Sequence, residues 1–316
     1  MIILVTGGAG FIGSHTIKAL INKKNRVICI DNFNDYYSTK IKINNIKSLL
    51  NNKLFKLYKG DICDFNRLKK IFEKEKPDIV CHLAARAGVR ASIENPFIYE
   101  KVNVGGTLNV LELSRMYKVK NIVVASSSSV YGNNKKVPFS ENDKTDNPIS
   151  PYAATKKAAE LLAYNYYHLY GLNCTVLRFF TVYGPSGRPD MAPYLFTDAI
   201  YKGKVIKKFG DGRSKRDYTF ISDIINGILV SLEKKLGFEI INLGNSKPIE
   251  LNYFINVIEN IIGKKAKIQQ LPKQSGDVEI TCADISKAKK LLNYNTEVTI
   301  ENGMKIFIDW YLKNIK

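Results

Sequence analysis

The chain has 316 residues, 45% of them hydrophobic, enough to bury the core of one large domain or two closely joined ones. Its 48 lysines and arginines outnumber 29 acidic residues, a net charge of +19. The lysines are dispersed among asparagine and isoleucine, as in Lys40–Lys47, so the excess reads as a composition-wide bias rather than a nucleic-acid-binding stripe. No apolar run is long enough to span a membrane, and Met1 leads straight into a core strand, so neither a membrane anchor nor a signal peptide is expected. The five cysteines (Cys29, Cys63, Cys81, Cys174 and Cys282) lack metal spacing, and the three histidines do not cluster. Reduced core thiols, a cytoplasmic location and no metal site are expected.

In chain order, Ile2–Thr6 is a short apolar run with the character of a buried parallel strand. It runs into Gly7-Gly-Ala-Gly-Phe-Ile-Gly13, after which Ser14–Leu20 reads as a helix. Gly8, Gly10 and Gly13 have the spacing of a dinucleotide-binding turn. Glycines there allow a tight turn, close approach of backbone to a pyrophosphate at the helix N-terminus, and close packing of helix on strand. A second strand, Arg26–Ile30, ends at Asp31, about 20 residues past the glycines, where a carboxylate accepts hydrogen bonds from the adenine ribose. The same carboxylate repels a 2′-phosphate, so NAD is expected rather than NADP.

The alternation continues. Leu54–Tyr58 is a strand ending near Gly60 and Asp61, and Asn66–Glu75 a helix. Asp78–Ala84 is the next strand, leading into the loop Ala85–Arg90. Pro96–Tyr117 reads as one long helix carrying Asn103, and Asn121–Ala125 as a strand ending in Ser126–Ser129. Tyr152–Tyr170 is a helix and Cys174–Arg178 a sixth strand. This order predicts an α/β fold with a doubly wound parallel sheet, in which Asp31, Asp61, Ala84 and the serines ring one crevice. Beyond about Phe180, Gly/Pro-rich loops and shorter elements predict a smaller domain over that crevice. The expected division is residues 1–179 for NAD and 180–316 for substrate, with Glu239–Asn242 available to return to the main sheet.

Tyr152 and Lys156 stand four residues apart on a predicted helix, and so on one face. A phenol is a poor base at neutral pH, but a nearby ammonium favours its phenolate. Such a pair can take a proton from a substrate hydroxyl while a nicotinamide takes the hydride from the same carbon. Alone the spacing is weak, since a chain rich in both residues produces it by chance. It gains weight from the glycine-rich turn.

Together, the glycine turn, Leu83-Ala-Ala85, Ser126-Ser-Ser-Ser-Val-Tyr-Gly132, Tyr152-x-x-x-Lys156 and Arg178-Phe-Phe-Thr-Val-Tyr-Gly-Pro185 resemble the extended short-chain dehydrogenases acting on nucleotide-sugars. The resemblance covers essentially the whole chain and implies a Rossmann fold with a smaller C-terminal substrate-binding α/β domain. Ala87-Gly-Val-Arg90, Phe179–Pro185, Gly187-Arg-Pro-Asp-Met191 and Arg216-Asp-Tyr-Thr219 narrow the likeness to the UDP-glucuronate 4-epimerases within that family. The resemblance implies that Gly7, Gly10, Phe11, Ile12 and Gly13 form the pyrophosphate turn. It puts Asp31 and Asn32 at the ribose and Asp61 and Ile62 at the adenine. Leu83, Ala84 and Ala85 line the cofactor, with Asn103 beneath it. Tyr152 is then the base, Lys156 binds the nicotinamide ribose, and Ser127 bridges tyrosine and substrate O4, though any of Ser126–Ser129 could hold that place. Arg188 and Arg216 become diphosphate ligands, as a guanidinium fork suits phosphate. Gln274 and Asp277 close over the uridine ribose.

Two positions depart from the family pattern. Arg86 stands where relatives usually carry glutamine, and Gly184-Pro-Ser-Gly187 lacks a usual tryptophan. The related 4,6-dehydratases and decarboxylases place carboxyl groups just after the catalytic hydroxyl, where this chain has Ser128 and Ser129. Without such a group, proton shuttling at C5 or C6 has no evident agent, and oxidation and re-reduction at C4 remain. The expected reaction is epimerisation of a UDP-sugar, most closely UDP-glucuronate, with Ser128, Thr181, Arg86 and Arg90 placed to hold the carboxylate. UDP-glucose or UDP-N-acetylglucosamine as substrate, a decarboxylase, and a non-enzymatic NAD-binding protein stay open as alternatives. Apolar stripes on Pro96–Tyr117 and Tyr152–Tyr170 predict a homodimer seam, or packing on the sheet.

Overall fold

The computed structural model describes residues 1–272 and 278–314. Its strands are β1 (Ile2–Thr6), β2 (Arg26–Asp31), β3 (Phe55–Lys59), β4 (Ile79–His82), β5 (Asn121–Ser127) and β6 (Cys174–Phe179). There follow β7 (Thr181–Tyr183), β8 (Val205–Phe209), β9 (Lys215–Phe220), β10 (Phe238–Leu243), β11 (Pro248–Glu250) and β12 (Lys267–Leu271). The chain falls into two compact units. The first takes residues 1–133, 141–179 and 225–242; the second takes 134–140, 180–224 and 243–316.

The first unit is built on one sheet of seven strands in the order β10-β6-β5-β4-β1-β2-β3. From β6 to β3 every neighbouring pair is parallel. The central strands Ile3–Val5, Val27–Ile30, Val80–Cys81 and Ile122–Val124 are almost wholly buried, because helices cover both faces of a parallel sheet. Β-branched residues dominate these runs, which suits the pleated, two-sided packing. All six parallel strands end on the same edge, which brings Gly7, Asp31, Leu83 and Ser127 there. The return strand anticipated at Glu239–Asn242 is β10, lying beside β6.

Two helices differ from their sequence-based outlines. Thr39–Ile46 is an additional helix between β2 and β3. The long helix expected over Pro96–Tyr117 is interrupted: Pro96–Tyr99 and Thr107–Met116 are α-helical, but Glu100–Gly106 between them is a π-helix. That widened turn carries Asn103, and such insertions often sit at functional positions. Helix Pro151–Tyr170 has sharp ends. Ser150 caps it by accepting from the Ala153 amide at 3.1 Å, Pro151 opens it, and Gly171 closes it at φ 66°.

In the second unit, β7, β9 and β11 form a three-stranded sheet and β8 and β12 a parallel pair. Its core is aromatic, with Tyr218 stacked on Phe254 at 4.5 Å and Tyr183 edge-on to Phe220 at 5.4 Å. Buried Asp217 organises its loops, accepting from the amides of Asn245 (2.7 Å), Ser246 (2.9 Å) and Ala283 (2.9 Å). Burial raises the pKa of this carboxyl, against which the three amides act.

Candidate active site

The glycine-rich turn joins β1 to helix Phe11–Asn22, and its glycines are required by space. A Cβ on Gly13 would lie 2.3 Å from the Gly7 carbonyl oxygen, and one on Gly7, at φ 68°, 2.8 Å from the Ala84 backbone. The helix N-terminus follows Gly10 in extended conformation, and no side chain caps it. It therefore presents backbone amides and the positive end of the helix dipole to an anion. At the end of β2, Asp31 accepts from the Ala9 amide (3.0 Å) and the Phe33 amide (2.8 Å). Burial raises its pKa, opposed by those amides and by the Lys42 ammonium. Asn32 donates to Asp61 at 2.8 Å, and Asp61 also accepts from the Cys63 amide at 2.8 Å. Burial works against the Asp61 charge, but these donors outweigh it and hold the carboxyl below its ordinary range. Ile62 packs against Gly106, where a Cβ would come within 2.5 Å of its side chain. This set of a close-packed glycine turn, an uncapped helix N-terminus and a carboxylate at the next strand end fits a dinucleotide.

Behind the strand ends runs a chain of hydrogen bonds with one direction. The Ala84 amide donates to the Thr6 hydroxyl at 3.2 Å, and that hydroxyl lies 2.7 Å from His82 Nδ1. His82 Nε2 lies 3.0 Å from the Thr107 hydroxyl, whose single proton goes to the Asn103 carbonyl at 2.6 Å. Thr107 must therefore accept, so Nε2 carries the ring proton and Nδ1 accepts from Thr6. The imidazole is neutral. Burial, then the charge of Lys156, pushes its pKa down to about 3. Asn103 extends the network: its side chain bonds both the amide (2.8 Å) and the carbonyl (3.0 Å) of Arg86, and donates to Thr155 Oγ1 at 3.1 Å. Thr155 in turn donates to the Tyr152 carbonyl at 2.9 Å.

Lys156 is buried, one helical turn from Tyr152, and donates to the Ala125 carbonyl at 2.7 Å. Burial pushes its pKa down to about 8. The Tyr152 ring stands edge-on to Tyr99, centroids 6.3 Å apart. One turn beyond Lys156, Glu160 forms a two-point pair with Arg178, both contacts at 2.8 Å, and accepts from the Ser126 hydroxyl at 2.6 Å. Ser126 is thus turned into this buried pair, which leaves Ser127–Ser129 for a ligand. Ser127 Oγ accepts from the Ser129 amide at 3.2 Å.

The remaining expected residues divide between the units. In the first, the Arg86 guanidinium reaches to 3.9 Å from Asp35, and Arg90 is exposed on the short helix Val89–Glu94. In the second, Thr181 opens β7, Arg216 in β9 donates to the Lys215 carbonyl at 3.0 Å, and Arg188 forks onto Asp190 at 3.0 and 2.5 Å. Gln274 and Asp277 lie outside the described residues. Among the described residues no cluster of His, Cys, Asp or Glu has the makings of a metal site. The Thr6–His82–Thr107 chain and the Glu160–Arg178 pair were absent from the sequence reading, because their members are separated along the chain and carry no motif.

Fold and site together define a nucleotide-dependent enzyme of the Rossmann type with a Tyr/Lys pair. Residues 4–307 match the family described as GDP-mannose 4,6 dehydratase, and the chain belongs to that family. A UDP-glucuronate 4-epimerase of Thermodesulfobacterium geofontis (strain OPF15) is 52% identical over 314 residues, 99% of this chain and 97% of the relative. The crystal structure of UDP-glucuronic acid 4-epimerase from Bacillus cereus, in complex with UDP-glucuronic acid and NAD, matches with a TM-score of 0.94 at 37% identity, covering 99% of both chains. That of UDP-glucose 4-epimerase from Thermotoga maritima with UDP-glucose matches with a TM-score of 0.92 at 33% identity, covering 100% of both.

Proposed function

We propose that this chain is an NAD-dependent 4-epimerase that interconverts UDP-glucuronate and UDP-galacturonate. The observation that carries the reading is a buried Lys156, one turn from Tyr152, beside a strand end whose residues 128 and 129 are serines rather than acids. The family takes its description from a dehydratase, but elimination or decarboxylation needs a positioned carboxyl that this strand end does not carry. The whole-length likeness to UDP-glucuronate 4-epimerases supports the same substrate.

The glycine turn, with Phe11, Ile12 and Gly13, holds the pyrophosphate of NAD, Asp31 and Asn32 the adenine ribose, and Asp61 and Ile62 the adenine. Leu83, Ala84 and Ala85 line the nicotinamide half, with Asn103 holding the Arg86 backbone beneath. Bound NAD supplies a hydride acceptor and, once reduced, a donor to the same carbon. Tyr152 takes the proton of the 4-hydroxyl and later returns it to the same oxygen, once the sugar has turned the opposite face of C4 toward the nicotinamide. Ser127 bridges the two in hydrogen-bond contact. Lys156 favours the phenolate by its charge and binds the nicotinamide ribose. Arg188 and Arg216, with Gln274 and Asp277, hold the UDP while the sugar turns over. Ser128, Thr181, Arg86 and Arg90 keep the carboxylate out of the alignment in which a β-keto acid loses CO2.

Purified protein given UDP-glucuronate and no reductant should form UDP-galacturonate with little net NADH and little CO2. A UDP-pentose product would make it a decarboxylase, and faster turnover of UDP-glucose would change the substrate while keeping the mechanism. We further place the protein in the cytoplasm, a reading supported by five unpaired thiols, and infer a homodimer. Helices Thr107–Met116 and Pro151–Tyr170 are neighbours that leave Leu108, Met116, Leu161, Tyr164 and Leu169 exposed together with Phe97, an apolar face suited to a second copy. Sedimentation of Leu161→Asp should show monomer where the wild type shows dimer.

A further inference from the structure

We propose that helix Thr39–Ile46 is part of the cofactor site, with Asn45 as the residue that positions the glycine-rich turn from behind. The inference rests on the reading that this turn binds NAD. Within the turn, the peptides around Ala9 have their polar groups claimed one by one. The Ala9 amide goes to Asp31 at 3.0 Å, the Gly10 amide to the Gly7 carbonyl at 3.1 Å, and the Ala9 carbonyl receives the Asn45 side-chain amide at 3.0 Å. The first two contacts come from residues the fingerprint already contains. The third comes from a helix with no place in it.

The three contacts fix two successive peptide planes. The Ala9–Gly10 plane is held at both ends, by Asn45 on its oxygen and by Gly7 on its nitrogen. The plane before it is held by Asp31, the carboxylate that faces the ribose. Ala9 is fully buried and Asn45 nearly so, at 5% exposure, so no bulk water replaces the donor if it is removed. An orphaned buried carbonyl is relieved most simply by rotation of its peptide, and rotation here breaks the Gly10 contact. Gly10 is the residue from which the uncapped helix starts, so that rotation also re-aims the amides that meet the pyrophosphate. Lys42, three residues earlier on the same helix, does a parallel task on the ribose side. It is buried and donates to both the Asn34 carbonyl (2.6 Å) and its side chain (3.0 Å), closing the loop that follows Asp31. One short polar helix thus supports both halves of the adenosine-diphosphate grip.

The test is the dissociation constant of NAD for nucleotide-stripped protein, measured by calorimetry, in the wild type, Asn45→Ala and the near-isosteric Asn45→Asp. Asn45→Ala lacks the donor, as does Asn45→Asp at alkaline pH where its carboxyl is ionised, and both should then bind NAD about tenfold more weakly, equivalent to about 1.4 kcal/mol. In kinetics the loss should appear mainly as a raised KM for NAD, with a smaller effect on kcat, the split expected of a residue that positions the turn. If Asn45→Ala does not fold, Asn45→Ser, smaller and still polar, must show the same weakening. Variants that bind NAD as tightly as the wild type, whatever their melting temperature, overturn the inference and leave the functional reading standing. A wild type that does not bind NAD overturns the functional reading itself.

Discussion

Arg178 with Glu160 in the first unit and Arg188 with Asp190 in the second are both two-point guanidinium–carboxylate pairs, yet their settings are opposite. The first pair joins a helix to a strand, with both side chains 1–2% exposed, and holds Ser126 as a third partner. The second joins residues two apart in one loop, and its side chains are 20% and 39% exposed. Removing one partner of a buried pair strands a charge where water cannot reach it, which costs about 3–5 kcal/mol. A pair open to solvent is worth about 0–1 kcal/mol, because water takes over either partner. The same chemical contact therefore makes a fixed frame behind Tyr152 and Lys156 but a releasable one at Arg188. On the proposed reading Arg188 exchanges Asp190 for a diphosphate, an exchange closed to the buried Glu160.

The strongest way to test the fixed side is to leave its frame intact and remove its chemistry. Tyr152→Phe should keep its melting temperature and NAD affinity while losing about 1,000-fold in kcat, because only proton transfer is deleted. Near-normal turnover would remove tyrosine from the mechanism. Glu160→Gln attacks the frame itself, and urea unfolding should show a loss of about 3–5 kcal/mol. A loss under 1 kcal/mol would erase the contrast between the two pairs.

The fixed side also makes a pH prediction. Lys156 is lowered from its ordinary 10.5 to about 8 by burial, while the negative charge of Glu160 acts to raise it. Between those two values the unfolded chain binds the proton that the folded chain has released. The contribution of this lysine therefore makes stability rise with pH across that window and stay flat below about 8. Side-chain NMR of the ligand-free protein should give a Lys156 midpoint near 8, moving lower in Glu160→Gln. An upward movement would reverse the electrostatic assignment.

Smaller effects are expected on the releasable side. Arg188→Met should raise the KM for UDP-glucuronate about tenfold with kcat within about twofold, the pattern of lost uniform binding. Asp190→Ala should change stability by less than about 1 kcal/mol and lower KM, since the guanidinium no longer has a competing carboxylate. If Asp190→Ala instead raises KM, the aspartate is a support for Arg188 and not a competitor.

What the sequence made legible follows distance along the chain. The glycine turn, Asp31 and the Tyr152/Lys156 pair are short-range patterns whose spacing carries their geometry, and the strands between them are dense apolar runs that end where turn residues begin. Helix Thr39–Ile46 was not legible, because its Ile41, Ile43 and Ile46 follow no helical stripe and its Lys42 and Asn45 turn inward rather than to solvent. The π-helical turn at Asn103 escapes for another reason: it adds a residue to a helix without changing its composition. His82 reads as one more member of an apolar strand until Thr6 and Thr107, 76 and 25 residues away, are brought to its two nitrogens.

The position of β10 bears on how the molecule is made. On a ribosome the chain emerges in order, so β6 is synthesised long before the strand that lies on its outer side, and the whole of residues 180–224 comes between. Asn121 waits equally, since its side chain is bonded to the carbonyls of Ser231, Leu232 and Lys234 at 2.9–3.0 Å. During that interval the nascent sheet carries an open edge along Cys174–Phe179, a template for pairing with any other extended chain. The chain up to residue 243 then covers the edge of β6 with a strand from the same molecule, and β10 becomes the outermost strand on that side.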